Sequence, residues 1–284
     1  MMKILVTGGA GYIGSNLCNR LQSQGHDVSC LDIDLSQEFE LNPHITKIQH
    51  DVLKEFDDLP VYDCIYHLAA LPRIPLSFKN PEKTIDVNCN GTFNVLKYAK
   101  KIGAKLVFTS TSSAYSSPFL NPYTYSKYLA EQHCMFFQKA YDMKVFITRL
   151  FNVYGGNHPR HTKKACMMGI FEHQKLHGDQ LTIYGNGLQR RDFTHIDDIC
   201  DGLVKILQVQ WYSDVIDLGF GNNHSVSEIA GMFRPREIMY KPARRGEGGD
   251  TLANLEATKK ILGWQPQIGI QSYIEGFLRE NELP

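Results

Sequence analysis

The stretch "KILVTGGAGYIGSNL", Lys3 to Leu17, decides how the rest of the chain is read. "KILVT" is a short apolar run with the signature of a buried strand, and the residues after Gly11 carry the apolar spacing of a helix. Between them Gly8, Gly11 and Gly14 stand three residues apart. Glycines at those positions permit a tight turn and a close approach of backbone to a pyrophosphate. The N–H groups and dipole of the following helix then favour the anion. Glycine spacing alone is weak support, but here it sits between a strand and a helix. Asp32 follows Gly14 by 18 residues, at the end of a second apolar run "DVSCLDI". An acid there is placed to accept hydrogen bonds from ribose hydroxyls and to repel a 2′-phosphate, which favours NAD over NADP. Tyr12 and Ile13 complete the turn. Asp51 and Val52, after a third run, are placed to meet an adenine. Leu68, Ala69 and Ala70 close a fourth with small side chains that let a cofactor lie close. His67, just before them, reads as a hydrogen-bonded core residue.

Strand-like runs ("KILVTG", "DVSCLDI", "ITKIQHDV", "CIYHLAA", "KLVFTS", "KVFITRL") are separated by helical or irregular segments. One helix is expected over Pro81–Lys101. This alternation predicts an α/β fold, a Rossmann-type doubly wound parallel sheet. After Asn152 the rhythm breaks into shorter, glycine-punctuated elements, so a smaller C-terminal α/β lobe is expected to begin there. The 284 residues are long enough for this arrangement, and 30 basic against 30 acidic residues give no support to a nucleic-acid or membrane-surface role. Seven scattered cysteines, none spaced Cys-x-x-Cys, suit reduced cytoplasmic thiols better than disulfides or zinc. Met1 leads straight into the first strand and no run of about 20 apolar residues occurs, so neither a signal peptide nor a membrane span is expected. Asp197 and Asp198 read as the start of a helix, His173 and His177 as solvated surface, and no metal is expected.

"TSTSSAYSSPFLNPYTYSK", Thr109–Lys127, carries hydroxyls on 12 of its 19 residues. Composition alone suggests a loose linker. Its flanks, a strand "AKLVF" and a helix "YLAEQHCMFFQKAY", instead pin it at a strand's carboxyl end, where open α/β sheets place ligands. Tyr123 and Lys127 are four apart and share a helix face; Tyr125 does not. A tyrosine serving as a base near neutrality needs its phenolate favoured by roughly 4 kcal/mol. An ammonium one turn away and a positive nicotinamide ring could supply that. Thr111, at the strand end, can hydrogen-bond the same substrate oxygen.

These features together resemble the extended short-chain dehydrogenase/reductase family, in particular its NAD-dependent nucleotide-sugar epimerases and dehydratases of the UDP-glucose 4-epimerase type. The likeness extends over "TGGAGYIGSNL", "LDI", "HLAA", "VNCNGTFNVL", "YTYSK", "RLFNVYG", "IYGNGLQRRDFTHIDD" and "RRGEGGDTLANLEATKKILGWQP", in order and spacing. It implies Tyr123 as catalytic base, Lys127 as its ribose-bound helper and Thr111 as the catalytic hydroxyl. It implies that Asn88 buttresses the cofactor loop and that Asn152 contacts a sugar nucleotide. Arg191 and Arg244 would hold the diphosphate, with Arg190 as an alternative to Arg191, and Glu247 would lie near the nucleotide. Residues 1–152 would form the NAD-binding domain, to which later segments return, and 153–284 mainly the sugar-nucleotide lobe. A homodimer is implied, paired through the helices around Pro81–Lys101 and Tyr123–Ala140.

Two departures from the family pattern bear on the reaction. Dehydratase and decarboxylase branches carry acids just after the catalytic threonine, whereas this chain has Ser112 and Ser113. Only seven residues separate Tyr115 from Tyr123, so the sugar end of the pocket is expected to stand open. The expected activity is NAD-dependent epimerisation of a nucleotide-diphosphate sugar at C4. A net sugar dehydrogenase or reductase and an idle NAD-binding regulatory protein are the alternatives.

Overall fold

The computed structural model describes residues 1–36, 39–160 and 165–283. Strand β1 (Lys3–Thr7) leads into α1 (Tyr12–Ser23), then β2 (Asp27–Asp32), β3 (Thr46–Gln49) and β4 (Cys64–His67). Two short helices, α2 (Ile74–Lys79) and α3 (Pro81–Ile85), precede α4 (Gly91–Ile102). They are followed by β5 (Lys105–Thr111), α5 (Pro122–Tyr141) and β6 (Val145–Leu150). Beyond these lie β7 (Val153–Tyr154), α6 (Met167–Leu176), β8 (Leu181–Tyr184), β9 (Arg190–Asp192), β10 (Thr194–His195) and α7 (Ile196–Lys205). The remaining elements are β11 (Val215–Leu218), β12 (Asn223–Ser225), α8 (Val226–Met232), β13 (Ile238–Lys241), α9 (Leu255–Leu262) and α10 (Ile270–Glu280).

Seven strands form one parallel sheet in the order β11-β6-β5-β4-β1-β2-β3. The order reverses between β1 and β4, the point at which open α/β sheets hold ligands at the carboxyl ends of their strands. Both faces are covered, which is why the strands read as near-continuous apolar runs. Leu17 and Leu21 of α1 share one core with Ile199 and Leu203 of α7. Val95 and Ala99 of α4 share the other with Ala130 and Phe137 of α5. A third core holds the smaller lobe, where Phe171, Ile183, Ile229, Phe233 and Ile274 pack together. Each such side chain contributes roughly 1.5–3 kcal/mol by leaving water.

The chain after Asn152 serves both bodies. The β8–β13 pair belongs to the smaller lobe, while β11 extends the large sheet beside β6 and α7 packs against α1. Asp197 and Asp201 of α7 pair with Arg20 of α1, and Asp198 accepts hydrogen bonds from the N–H groups of Gln267 and Ile268. Trp264, just after α9, is buried and donates to the Asp198 carbonyl.

The single helix expected over Pro81–Lys101 is instead interrupted. One wide π turn, Asp86–Asn90, separates α3 from α4. At the junction a Cβ on Gly91 would lie 2.8 Å from Val52 Cγ2, so the backbone passes close to the segment after β3. The Thr92 hydroxyl donates to the Asn88 carbonyl at 2.6 Å. Such turns recur at functional sites because the extra residue re-aims a side chain, here Asn88. All seven cysteines are free thiols, and all but Cys166 are buried.

Candidate active site

The glycine turn is built by close approach. Gly8 has φ +69°, and a Cβ there would lie 2.6 Å from the Ala69 nitrogen; one on Gly14 would lie 2.1 Å from the Gly8 carbonyl oxygen. Any side chain at either position would fill the cradle or displace the loop beside it. Gly11 starts α1 without a side-chain cap, leaving the helix N-terminus open to an anion. Tyr12 contributes backbone to the turn, but its hydroxyl reaches across to the Gly155 carbonyl at 2.7 Å and ties the turn to the second lobe. Ile13 packs against the first core.

Asp32 ends β2 with its carboxylate accepting the N–H groups of Ala10 (3.1 Å) and Asp34 (3.3 Å). Partial burial raises its pKa, opposed by those hydrogen bonds. Asp51 accepts the Leu53 N–H, while the Val52 side chain lies in the core behind the site. Leu68, Ala69 and Ala70 are half-buried beside the glycine turn. His67 is buried with one ring nitrogen 2.7 Å from Thr7 Oγ1 and the other 3.0 Å from Thr92 Oγ1. Burial, then the charge of Lys127, lowers its pKa to about 3, so it stays neutral and structural.

Asn88 grips the loop after β4. Its Oδ1 accepts the Leu71 N–H at 2.7 Å, and its Nδ2 donates to the Leu71 carbonyl and to Ser126 Oγ of α5. The loop continues into Arg73, which adopts φ 95°, ψ 110°, a conformation that costs a non-glycine residue of order 1–3 kcal/mol. Nothing in the sequence singled out Arg73. Yet its charge acts on Tyr123, and Arg244 and Cys166 act on it in turn.

Helix α5 begins at Asn121, whose side chain accepts the Thr124 N–H at 2.8 Å, with Pro122 in the first turn. Tyr123 and Lys127 then follow one turn apart on the face toward β5, and Tyr125 points elsewhere, against Phe119. The Thr111 hydroxyl lies near enough to the Tyr123 phenol to favour its charged form. Burial raises the pKa of that phenol; the Thr111 hydroxyl and the Arg73 charge oppose the rise. Lys127 is buried, with Nζ 4.2 Å from the centre of the Phe108 ring. Among the described residues its ammonium has no hydrogen-bond or ion-pair partner, and burial lowers its pKa to about 8.

On the lobe side, Asn152 (φ 26°) donates to the Asp192 carbonyl at 2.8 Å. Arg190 is held by Asn223 and Glu228, so it is architectural. Arg191 donates to the carbonyls of Gly248 and Gly249 and steadies that segment. Arg244 lies 3.6 Å over the Tyr184 ring, and Glu247 is 3.8 Å from its guanidinium.

The short connection after Tyr115 does not stand alone. Asn121 donates to the Gly246 carbonyl at 2.9 Å, and a Cβ on Gly248 would lie 2.5 Å from Ser116 Oγ. The segment around Gly246–Gly248 thus packs against the short connection. No group of three His, Cys, Asp or Glu side chains able to hold a metal occurs among the described residues. No helix there is long and apolar enough to cross a membrane.

Residues 4–219 match the family described as NAD dependent epimerase/dehydratase family. This chain belongs to that family. NAD is its cofactor, and the glycine cradle, the Asp32 carboxylate and the buried Lys127 ammonium fit the group. Among family relatives, UDP-glucuronic acid decarboxylase 1 of Danio rerio is 30% identical over 321 residues, covering 99% of this chain and 73% of that protein. The UDP-glucose 4-epimerase of Thermotoga maritima superposes with a TM-score of 0.91 at 26% identity, covering 99% of this chain and 100% of that one. The UDP-glucuronic acid 4-epimerase of Bacillus cereus, in complex with UDP-glucuronic acid and NAD, gives a TM-score of 0.86 at 29% identity over 99% of both chains. The family thus holds epimerases and decarboxylases on one scaffold, and the fold alone does not choose between them.

Proposed function

We propose that this protein is an NAD-dependent epimerase of a nucleotide-diphosphate sugar, acting at C4 through a transient 4-keto sugar. Family relatives support nucleotide-sugar chemistry of the epimerase, dehydratase or decarboxylase type. One observation carries the finer reading. The Tyr123–Thr111 pair is complete, while the positions after Thr111 hold Ser112 and Ser113 instead of an acid. Serine hydroxyls neither donate nor accept a proton usefully at neutral pH, so proton transfer at neighbouring sugar carbons lacks its agent.

Bound NAD would supply a reversible acceptor for the hydride of the sugar. Tyr123 takes the proton of the C4 hydroxyl, and Thr111 holds the same oxygen. Lys127 grips the cofactor ribose and favours the phenolate by its charge. Asp32 holds the adenosine ribose. Arg244, preset on the Tyr184 ring, grips the diphosphate, and Arg191 fixes the Gly248–Gly249 segment beside it. The keto sugar turns within the pocket before reduction on its other face. A homodimer fits the outer faces of α4 and α5, where Phe93, Phe136 and Tyr141 remain exposed. Free, mostly buried thiols fit a reducing cytoplasm.

NMR of UDP-, GDP- and dTDP-sugars incubated with the protein tests the reading. One sugar is expected to give its C4 epimer without accumulation of NADH, and Tyr123→Phe is expected to abolish that turnover while retaining the fold and NAD binding. Release of carbon dioxide, stoichiometric NADH, or undiminished turnover by the variant would each refute it.

A further inference from the structure

Thr111 and Tyr123 come from different elements. Thr111 ends β5 and caps the 3-10 turn Ser112–Tyr115, whereas Tyr123 rides on α5. The turn is held internally by Ser113 N–H to Thr111 Oγ1 and Ser116 N–H to the Ser113 carbonyl, each at 3.2 Å. A single turn of this kind does not fix itself, because its few hydrogen bonds do not offset the backbone entropy of ordering it. Something outside must set where the Thr111 hydroxyl stands relative to the Tyr123 phenol.

Tyr115, at the far end of the turn, is the residue so anchored. Its hydroxyl donates to the Asp217 carboxylate on β11, 2.8 and 2.9 Å from the two oxygens. Asp217 is fixed in turn by the Asn254 N–H at 2.9 Å, at the start of α9. Above the Tyr115 ring, 4.5 Å from its centre, lies the Arg149 guanidinium of β6. Arg149 makes a two-pronged ion pair with Glu131 at 3.0 and 2.7 Å. Glu131 is buried on α5, one turn beyond Lys127. The sequence Glu131–Arg149–Tyr115–Asp217 therefore runs from the helix bearing Tyr123 and Lys127 to the turn bearing Thr111. Burial, with the nearby Asp217 charge, pushes the Tyr115 phenol up to about 12, so it remains a donor.

We propose that Tyr115 is a positioning residue that, braced between Asp217 and the Arg149–Glu131 pair, fixes the Thr111 hydroxyl against the Tyr123 phenol. This rests on the proposed reaction for its consequence in turnover, but its structural effect is readable without any substrate. Tyr115→Phe keeps the ring on Arg149 and removes only the hydroxyl. Tyr115 is 47% exposed, and the variant is expected to fold.

Two measurements decide the proposal. By amide hydrogen exchange, Ser113 and Ser116 are expected to exchange about tenfold faster in Tyr115→Phe, with the amides of α5 unchanged. With UDP-glucose and UDP-glucuronic acid as probes, kcat on whichever is turned over is expected to fall roughly 10- to 100-fold at nearly constant KM. In a Thr111→Val background the same change should cost nothing further, because the residue it positions is gone. Unchanged exchange at Ser113 and Ser116 would overturn the proposal, as would a kcat loss of equal size in both backgrounds. If Tyr123→Phe left turnover intact, the proposed reaction would fall, and exchange would still decide the brace.

Discussion

Replacing Lys127 with methionine should make the protein more stable while removing its hold on NAD. The ammonium is buried over the Phe108 ring, and burial, opposed by the nearby Cys134 and Glu131, lowers its pKa from the ordinary 10.5 to about 8. At ~1.4 kcal/mol per tenfold, that difference means the charged form costs the folded protein roughly 3 kcal/mol near pH 7. Methionine fills the same channel with an unbranched apolar stem, so about 2–3 kcal/mol should be recovered. For a chain of this length that is about 3–5 °C in Tm. The pH dependence has a definite sign. A lysine with a depressed folded-state pKa gives its full stability above 10.5, where both states are neutral, and loses it as pH falls to about 8. The parent should therefore gain stability between pH 8 and 10.5 from this residue, and the variant should lack that gain. Calorimetric melting at several pH values, with and without NAD, measures all of this. NAD at 100 times its Kd should stabilise the parent by about 2.7 kcal/mol and the variant hardly at all. A variant that melts below its parent, or that NAD still stabilises fully, would refute the reasoning.

Asp32→Ser should narrow the preference for NAD over NADP, read as the ratio of their dissociation constants; equal affinities in the parent would contradict the assignment. Because burial raises the Asp32 pKa, NAD binding should begin to weaken on acidification at a higher pH than an ordinary aspartate would give, and titration calorimetry against pH checks this. Gly14→Ala places a Cβ 2.1 Å from the Gly8 carbonyl, so it should abolish NAD binding and cost roughly 1–3 kcal/mol in a denaturant melt. Light scattering at micromolar concentration should give a dimer mass for the parent and a monomer mass for Phe136→Glu, since Phe136 is 51% exposed on the outer face of α5.

The parts of the site that were legible in the sequence are those in which local chemistry dictates local geometry. Gly8 and Gly14 advertise a backbone approach no side chain allows, and Tyr123 and Lys127 share a face because helices repeat every 3.6 residues. The illegible parts depend on contacts between residues far apart in sequence. Tyr115 meets Asp217 across 102 positions, and Asn121 meets Gly246 across 125. The composition of the short connection gave no sign that the Gly246–Gly248 segment packs against it. The π turn escaped because nothing in the residue types of Asp86–Asn90 specifies one extra residue per turn; it is where Asn88 reaches Leu71 and Ser126. Arg73 escaped for a different reason. Only a residue's dihedral angles, not its identity, reveal strain.

The free thiols have a practical consequence. Alkylating reagents attack thiolates, and burial pushes the thiols of Cys18, Cys64, Cys89, Cys134, Cys166 and Cys200 up, while closing off access to all but the half-buried Cys166. Labelling must then wait for the chain to breathe, and each cysteine keeps time for a different region. Cys18 times the layer of α1, Cys64 the middle of the sheet, Cys134 the α5 face and Cys200 the return through α7. Cys166, half-buried at the start of α6, times the small lobe. Mass spectrometry of the native protein, sampled during labelling, would read these clocks in order, and the protein would report its own unfolding sequence with no residue changed.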